Sequence, residues 1–414
     1  MNPLIFWAFL VSVLWLPAPA HALTSGLVVD AATGKPIQGA LVTVGKNVLK
    51  TDAKGQFLVD TTGVKVGARA YGYGRAERTV GVEPLVIKLA PFAPKALYLS
   101  FYGIGSRAIR QPVLDLIAST ELNAVVIDVK GDRGMIPYKS SVPLATAVGA
   151  QAIRTYSDIK PLLTSLQEKG IYTIARIVVF KDTPLAVARP ELAVKTKAGE
   201  IWRDRENLAW VDPFRQEVWD YNIAIAIEAA QLGFDEIQFD YLRFPDFSGR
   251  LEFSRPSTQE NRIAAIAGFL AEARKRLIPY NVFLAADIFG YICWNRDDTG
   301  IGQRLEELAP HVDYLSPMLY PSGFQFGIPG YRNPVAHVDK IVALSLHQAA
   351  RRTGLPPVRF RPWLQAFKDY AFDRRHFTAS EIRAQIEAAE HFGAGGWMLW
   401  NPRNVYSGEG LTNE

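Results

Sequence analysis

Cysteine is almost missing from this chain. Cys293 stands alone among 414 residues, so no internal disulfide can form. Cysteine-rich zinc sites and iron–sulfur clusters are excluded with it. Histidine is sparse as well. His21, His311, His337, His347, His376 and His391 show no HxH or HExxH spacing, and no histidine-built metal centre is expected. A glycine-rich GxGxxG nucleotide loop is absent. So is any long run of one charge: 46 basic residues are scattered among 41 acidic ones, for a net +5. That balance excludes a nucleic-acid footprint and describes an ordinary, mildly basic surface. A taste for anionic glycans or the cell envelope is the sharper alternative.

Long apolar runs are lacking too, apart from Leu4 to Leu16, which is too short to span a bilayer comfortably. Pro17, Pro19 and the small-x-small triplet Ala20-His21-Ala22 follow it. The pattern predicts a secretory signal at residues 1–22, cleaved after Ala22, although no Lys or Arg precedes the apolar run. The mature chain is then expected in the periplasm or outside the cell, with no stable membrane insertion.

What is present divides in two. Residues 23–92 contain GLVVD, AATGKPI, GALVTVG, KTDAKGQFLVD and EPLVIKLA, short β-like stretches with close turn signals and no helical period. They predict a small all-β sandwich. The wording GLVVDAATGKPIQGALVTV with KTDAKGQFLV resembles carboxypeptidase regulatory-like, transthyretin-like domains, which implies an accessory module. Phe92-Ala93-Pro94 reads as a linker. From Lys95, strand-like segments alternate with amphipathic ones: ALYLSFYG, NAVVIDVKG, YTIARIVVF, FDEIQFDYLRFP, NVFLAADIFGY, VDYLSPMLYP, VRFRPWLQAF and GGWMLWNPR. Eight such alternations over residues 95–405 predict an α/β fold, a (β/α)8 TIM barrel, in preference to a doubly wound open sheet.

In a TIM barrel the chemistry collects at the C-terminal strand ends. Those ends carry Asp128 and Lys130 on the second strand, Arg176 on the third, Asp240 with Arg243 on the fourth and Asp287 on the fifth. The sixth delivers Tyr320, the seventh Trp363 and Gln365, and the eighth Trp400 and Asn401. In the fourth, Ile237, Phe239 and Tyr241 alternate with Glu236, Gln238 and Asp240, which sends the polar set into the barrel. An unpaired carboxylate there is costly, so these acids are either paired or working.

Two carboxylates across one cleft are what glycoside hydrolysis requires: an acid for the leaving oxygen and a nucleophile or base. Asp240 and Asp287 are the candidates, on neighbouring strands. Strand spacing does not separate a retaining gap of roughly 5–5.5 Å from an inverting one of roughly 6.5–9.5 Å. Aromatic residues for stacking on pyranose faces are supplied by Tyr102, Tyr291, Trp294, Tyr320, Phe324, Tyr331, Trp363 and Trp400.

GFDEIQFDYLRFP, followed by AADIFGY, YLSPMLYPSGF and RPWLQAF, resembles a bacterial TIM-barrel family of glycoside hydrolase-like catalytic domains, once labelled a domain of unknown function. The resemblance covers about residues 96–405. It implies a polysaccharide or oligosaccharide substrate, catalysis by Asp240 and Asp287, and no cofactor. The fourth strand is also similar to that of chitinases, FDGxDxDxExP, at Phe234, Asp235 and Asp240. Leu242 stands where the chitinase glutamic acid belongs, so that mechanism does not transfer. Two alternatives remain: a glycan-binding barrel without turnover, and a hydrolase using Asp128, Asp240 and Asp287 as metal ligands.

Overall fold

The computed structural model describes residues 24–59, 63–81 and 85–413. The signal sequence expected at residues 1–22 lies outside them. Among the described residues, no helix is long and apolar enough to cross a membrane.

The described residues between 24 and 89 build two small sheets. One pairs Thr24–Asp30 with Gln56–Val59 and Leu85–Leu89; the other joins Leu41–Val44, Asn47–Lys50, Lys65–Arg69 and Ala76–Thr79. Val28, Val42, Phe57, Val66, Ile87 and Leu89 from both sheets share one buried core. The expected sandwich is present, with strands at Asn47–Lys50, Lys65–Arg69 and Ala76–Thr79 that the sequence did not advertise. AATGKPI is not a strand but a turn, with Asp30 Oδ1 accepting from the Ala32 and Thr33 amides.

Eight parallel strands then close a barrel: Lys95–Leu99, Ala124–Lys130, Tyr172–Val178, Glu236–Asp240, Phe283–Phe289, Tyr314–Met318, Trp363–Gln365 and Trp397–Trp400. They coincide with the eight expected strands and are numbered one to eight below. Outer helices include Arg107–Ser119, Gln216–Leu232, Gln259–Leu277, Val338–Thr353 and Ala379–Phe392. Sequence-local signals set their ends. Thr258 caps one by accepting from the Asn261 amide, and Thr378 with Glu381 forms a capping box on another. Gly233, at φ 111°, closes a third and turns the chain into strand four.

Strand alternation sorts the interior from the helix side. Ile237 and Phe239 join the outer core, while Glu236, Gln238 and Asp240 point inward and stack in three levels. At the floor, Glu236 pairs with Arg361, and the Tyr172 hydroxyl donates to it at 3.0 Å. Halfway up, Gln238 faces Ser316 and Met398. Asp240 is at the mouth. A barrel filled this way is a packed core, so a ligand has access only from above.

The sandwich is docked under the floor. Arg75 pairs with Asp235 at 3.0 Å, the Gly72 amide donates to the Tyr314 hydroxyl, and Arg69 reaches Asn281. The Phe92–Pro94 link is likewise packed: the Phe92 ring lies 5.2 Å from that of Tyr172, and Pro94 O accepts the Trp397 amide. Close approach requires Gly67, because a Cβ there would fall 2.6 Å from the Asn281 side chain. Gly67→Val is expected to cost about 1–3 kcal/mol by overpacking this seam. A lowered melting temperature, with new protease cuts in residues 24–92, is the readout.

Candidate active site

Arg176 organises the mouth. It rises from strand three, paired in register with Asp128 on strand two and Gln238 on strand four. Its guanidinium is 1% exposed and holds three carboxylates: Asp128 at 2.7 Å, Asp132 at 2.8 Å and Asp240 at 2.6 Å through Nη2, with Nε adding a second bond of 2.9 Å. Planar arginine suits such bidentate work better than lysine. The same group stacks against Trp400 and Tyr98, at 4.9 and 5.4 Å from their ring centres.

Asp240 is fixed from both sides. Oδ2 takes the two arginine bonds, and Oδ1 accepts from the Tyr241 amide at 2.6 Å. That amide can turn back because Tyr241 adopts φ 47°, a left-handed conformation unusual for an aromatic residue. Strain of this kind, on the order of 1–3 kcal/mol, persists where the surroundings over-determine it, commonly beside a working group. Asp240 opens onto a cleft of about 290 Å³ whose walls include Arg243, Met318, Tyr320, Trp363 and Trp400.

Asp287 sits one step beyond the last strand-four and strand-five pair, Phe239 with Ala286, so the two acids stand abreast. It is 1% exposed, just below the cleft surface. Oδ1 accepts the Trp363 indole N–H at 2.8 Å, and Oδ2 has no hydrogen-bond partner among the described residues. Burial pushes this carboxyl well above the usual range, and the Asp240 charge pushes it further; Arg176 and Trp363 only partly oppose them. One guanidinium serving Asp128, Asp132 and Asp240 already leaves an excess of negative charge. A fourth ionised carboxylate is unaffordable there, so Asp287 holds its proton. Asp128 feels the same squeeze: burial lifts it to about 6, despite Arg176 and the Tyr98 hydroxyl.

A stability signature follows. A carboxyl raised in the folded state binds more protons folded than unfolded, so stability falls as pH rises between the two values. The loss runs at about 1.4 kcal/mol per pH unit above roughly pH 4. Asp287→Asn keeps the indole contact and removes the penalty. It should melt higher than the parent chain at pH 7, and the gap should close near pH 4.

Several expected ligand contacts do not reach the cleft. The ladder slips between Arg176 and Ile177, pairing Ile177 with Lys130. That half-step swings Lys130 behind the strand, fully buried against Asp182 at 2.6 Å, Asn222 at 2.7 Å and the Tyr221 ring. Gln365 is consumed by Ser322 and the Phe367 carbonyl, and Asn401 ties down Ala366, Arg403 and Val405. Among the aromatics, Tyr320, Trp363 and Trp400 line the cleft and Tyr102 an adjoining hollow. Trp294 instead donates to Ser345, and Tyr291 with Phe324 forms loop packing. Residues the sequence reading passed over are Tyr98, Asp132 and Asp246. The first holds Asp128 at 2.7 Å, the second holds Arg176, and the third lines the cleft with no ion-pair partner among the described residues. Asp132 and Asp246 lie past the strand ends, where alternation gives no guidance.

No group of three or more Asp, Glu, His or Cys among the described residues is arranged to hold a metal ion. Asp128 and Asp240 converge on Arg176, a permanent cation in the place the metal-ligand alternative would assign to an ion. The acids are matched to proton transfer and charge stabilisation at a sugar-sized, aromatic-walled cleft, the equipment of a glycosidase.

Comparison with known proteins agrees. Residues 96–406 match the family described as "Putative glycosyl hydrolase domain", and the chain belongs to that family. None of the curated proteins matches the chain. Among solved structures, a hypothetical protein from Ruminiclostridium thermocellum is 41% identical over 46% of this chain and 96% of its own, with a TM-score of 0.42. The PgaB (BpsB) glycoside hydrolase domain from Bordetella bronchiseptica shares the fold at 16% identity. It covers 76% of this chain and 95% of its own, with a TM-score of 0.56. An α-L-fucosidase isoenzyme from Paenibacillus thiaminolyticus does so at 16% identity over 76% and 47%, TM-score 0.51.

Proposed function

We propose that this chain is an exported glycoside hydrolase that cleaves glycosidic bonds in an envelope or extracellular polysaccharide. The observation that carries the reading is the division of labour between adjacent acids. Asp240 is ion-paired to Arg176 and faces the cleft, while Asp287 beside it is held protonated. Asp240 serves as nucleophile or as base for a water; Asp287 supplies the proton to the departing oxygen. Trp363 orients that acid, and Tyr320, Trp400 and Arg243 position the sugar. The rate should fall as pH rises through the Asp287 value, because the proton to be donated is lost.

The depth of Asp287 favours one second reading. Asp246 is exposed at the cleft wall and has no ion-pair partner among the described residues, so it could take the acid's place, with Asp287 only positioning Trp363. Purified protein is screened on bacterial exopolysaccharides and peptidoglycan glycans, beside Asp287→Asn and Asp246→Asn. A drop of about 10²–10⁴ in rate from Asp287→Asn, with Asp246→Asn near the parent, upholds the first assignment. The reverse pattern replaces it. Fragment release unaffected by either, or by Asp240→Asn, ends the carboxylate mechanism.

A further inference from the structure

The central cleft does not end at its own walls. At Trp400 it adjoins a hollow of about 190 Å³ that holds Asp128, Tyr102 and Arg133. On the opposite side it shares Tyr241, Arg243 and Asp246 with a groove of about 710 Å³ carrying Trp202, Arg203, Arg205 and Phe247. The three form one trough across the barrel mouth, with Asp240 in the middle section. The long excursion between strand three and helix Gln216–Leu232 builds the larger end. It is braced by Lys195–Thr196 pairing with Leu251–Glu252, and by packing of Trp202 against Trp210 and Phe247.

Basic and acidic side chains along that trough are equal in number, six of each, but they are unequally paired. Lys181 is spoken for by Asp204 and Glu206. Arg133, Arg203, Arg205 and Arg243 line it and have no carboxylate partner among the described residues, against Asp246 as the one acid of equal standing. Arg243 lies 4.9 Å from the Trp210 ring centre and 5.3 Å from that of Tyr241; its Nη1 donates to the Phe244 carbonyl, and its remaining N–H groups have no carboxylate partner among the described residues. Guanidinium forks set at intervals beside aromatic rings suit a chain of sugars bearing carboxylates.

We infer that the trough binds an acidic, uronate-type polysaccharide in extended form on both sides of Asp240, so that cleavage is internal rather than from a chain end. This rests on the hydrolase reading for the cleavage and on the trough alone for the binding, and the two are separable by experiment.

Binding of the full chain to polygalacturonate, alginate and neutral dextran is measured by calorimetry with Asp240→Asn, which leaves any bound polymer intact. Polyuronate binding that weakens with salt and exceeds dextran binding supports the inference. The Arg203→Gln/Arg205→Gln pair and, at the far end, Arg133→Gln should each raise the Kd, the pair by about tenfold. Circular dichroism checks that both variants are folded. Dextran bound as tightly, or polyuronate binding indifferent to both ends, overturns it. With the unmodified chain, a fast drop in polymer viscosity with few new reducing ends supports internal cleavage, and release of mono- and disaccharides from the outset overturns it. Polyuronate bound with arginine dependence but never cleaved upholds the trough and overturns internal cleavage of such polymers, while the hydrolase reading stands or falls on the screen above.

Discussion

Asp240→Asn is expected to lower the cleavage rate by at least about 10³-fold while the protein stays folded. The size follows from position. Asp240 alone of the barrel-interior acids combines access to the cleft with an ion pair to Arg176. Asparagine is the same shape, and its single oxygen keeps the Tyr241 amide bond or the Arg176 bonds but not both, so the fold is kept with one side of the clamp released. What is lost is the negative charge that attacks or deprotonates. Removing that charge also relieves Asp287, whose proton becomes easier to lose. The small residual activity should therefore disappear at lower pH than in the parent. A residual rate with an unchanged alkaline limb would show that the two acids do not sense each other.

Arg176→Met is expected to have the largest effect on stability, about 3–5 kcal/mol at pH 7. Methionine fills much of the volume and rests against Tyr98 and Trp400, yet it strands Asp128 and Asp240 in a poorly solvated mouth without a counter-charge. The remedy open to the protein is protonation. Asp128 already titrates near 6 with the arginine present and will climb without it. As Asp128 takes up its proton the orphaned charge is reduced, so the deficit should shrink steadily as pH drops from 7 toward 4. Denaturant melts across that range decide the matter. A deficit constant with pH would point to lost packing instead of orphaned charge.

Much of the architecture is legible in the residues because barrel strands obey a simple rule. Each is bounded by turns, and each alternates a helix-facing aliphatic with an inward residue, as Ile237 and Phe239 do against Gln238 and Asp240. The same rule places Asp128, Arg176, Asp240 and Asp287 inside. It fails where neighbours intervene. Lys130 shares its parity with Asp128, yet a slip in the pairing with strand three turns it outward, and a slip is a property of two strands together. Gln365 and Asn401 lie at the right height but are captured by loop groups, Ser322 and the Phe367 carbonyl for one, Ala366 and Val405 for the other. Nor does any local pattern reveal that Arg75 meets Asp235, 160 positions later, and so seats the sandwich under the floor.

The shared guanidinium has a consequence for how this mouth can change over time. Because one cation is shared by three carboxylates, no member can be exchanged alone without changing the charge that the others feel. Substitutions should then interact strongly: Arg176→Met harms the parent chain but should harm far less a chain already lacking Asp128 and Asp240. Drift toward new specificities would have to travel by coordinated swaps here, and by independent single steps among the outlying arginines.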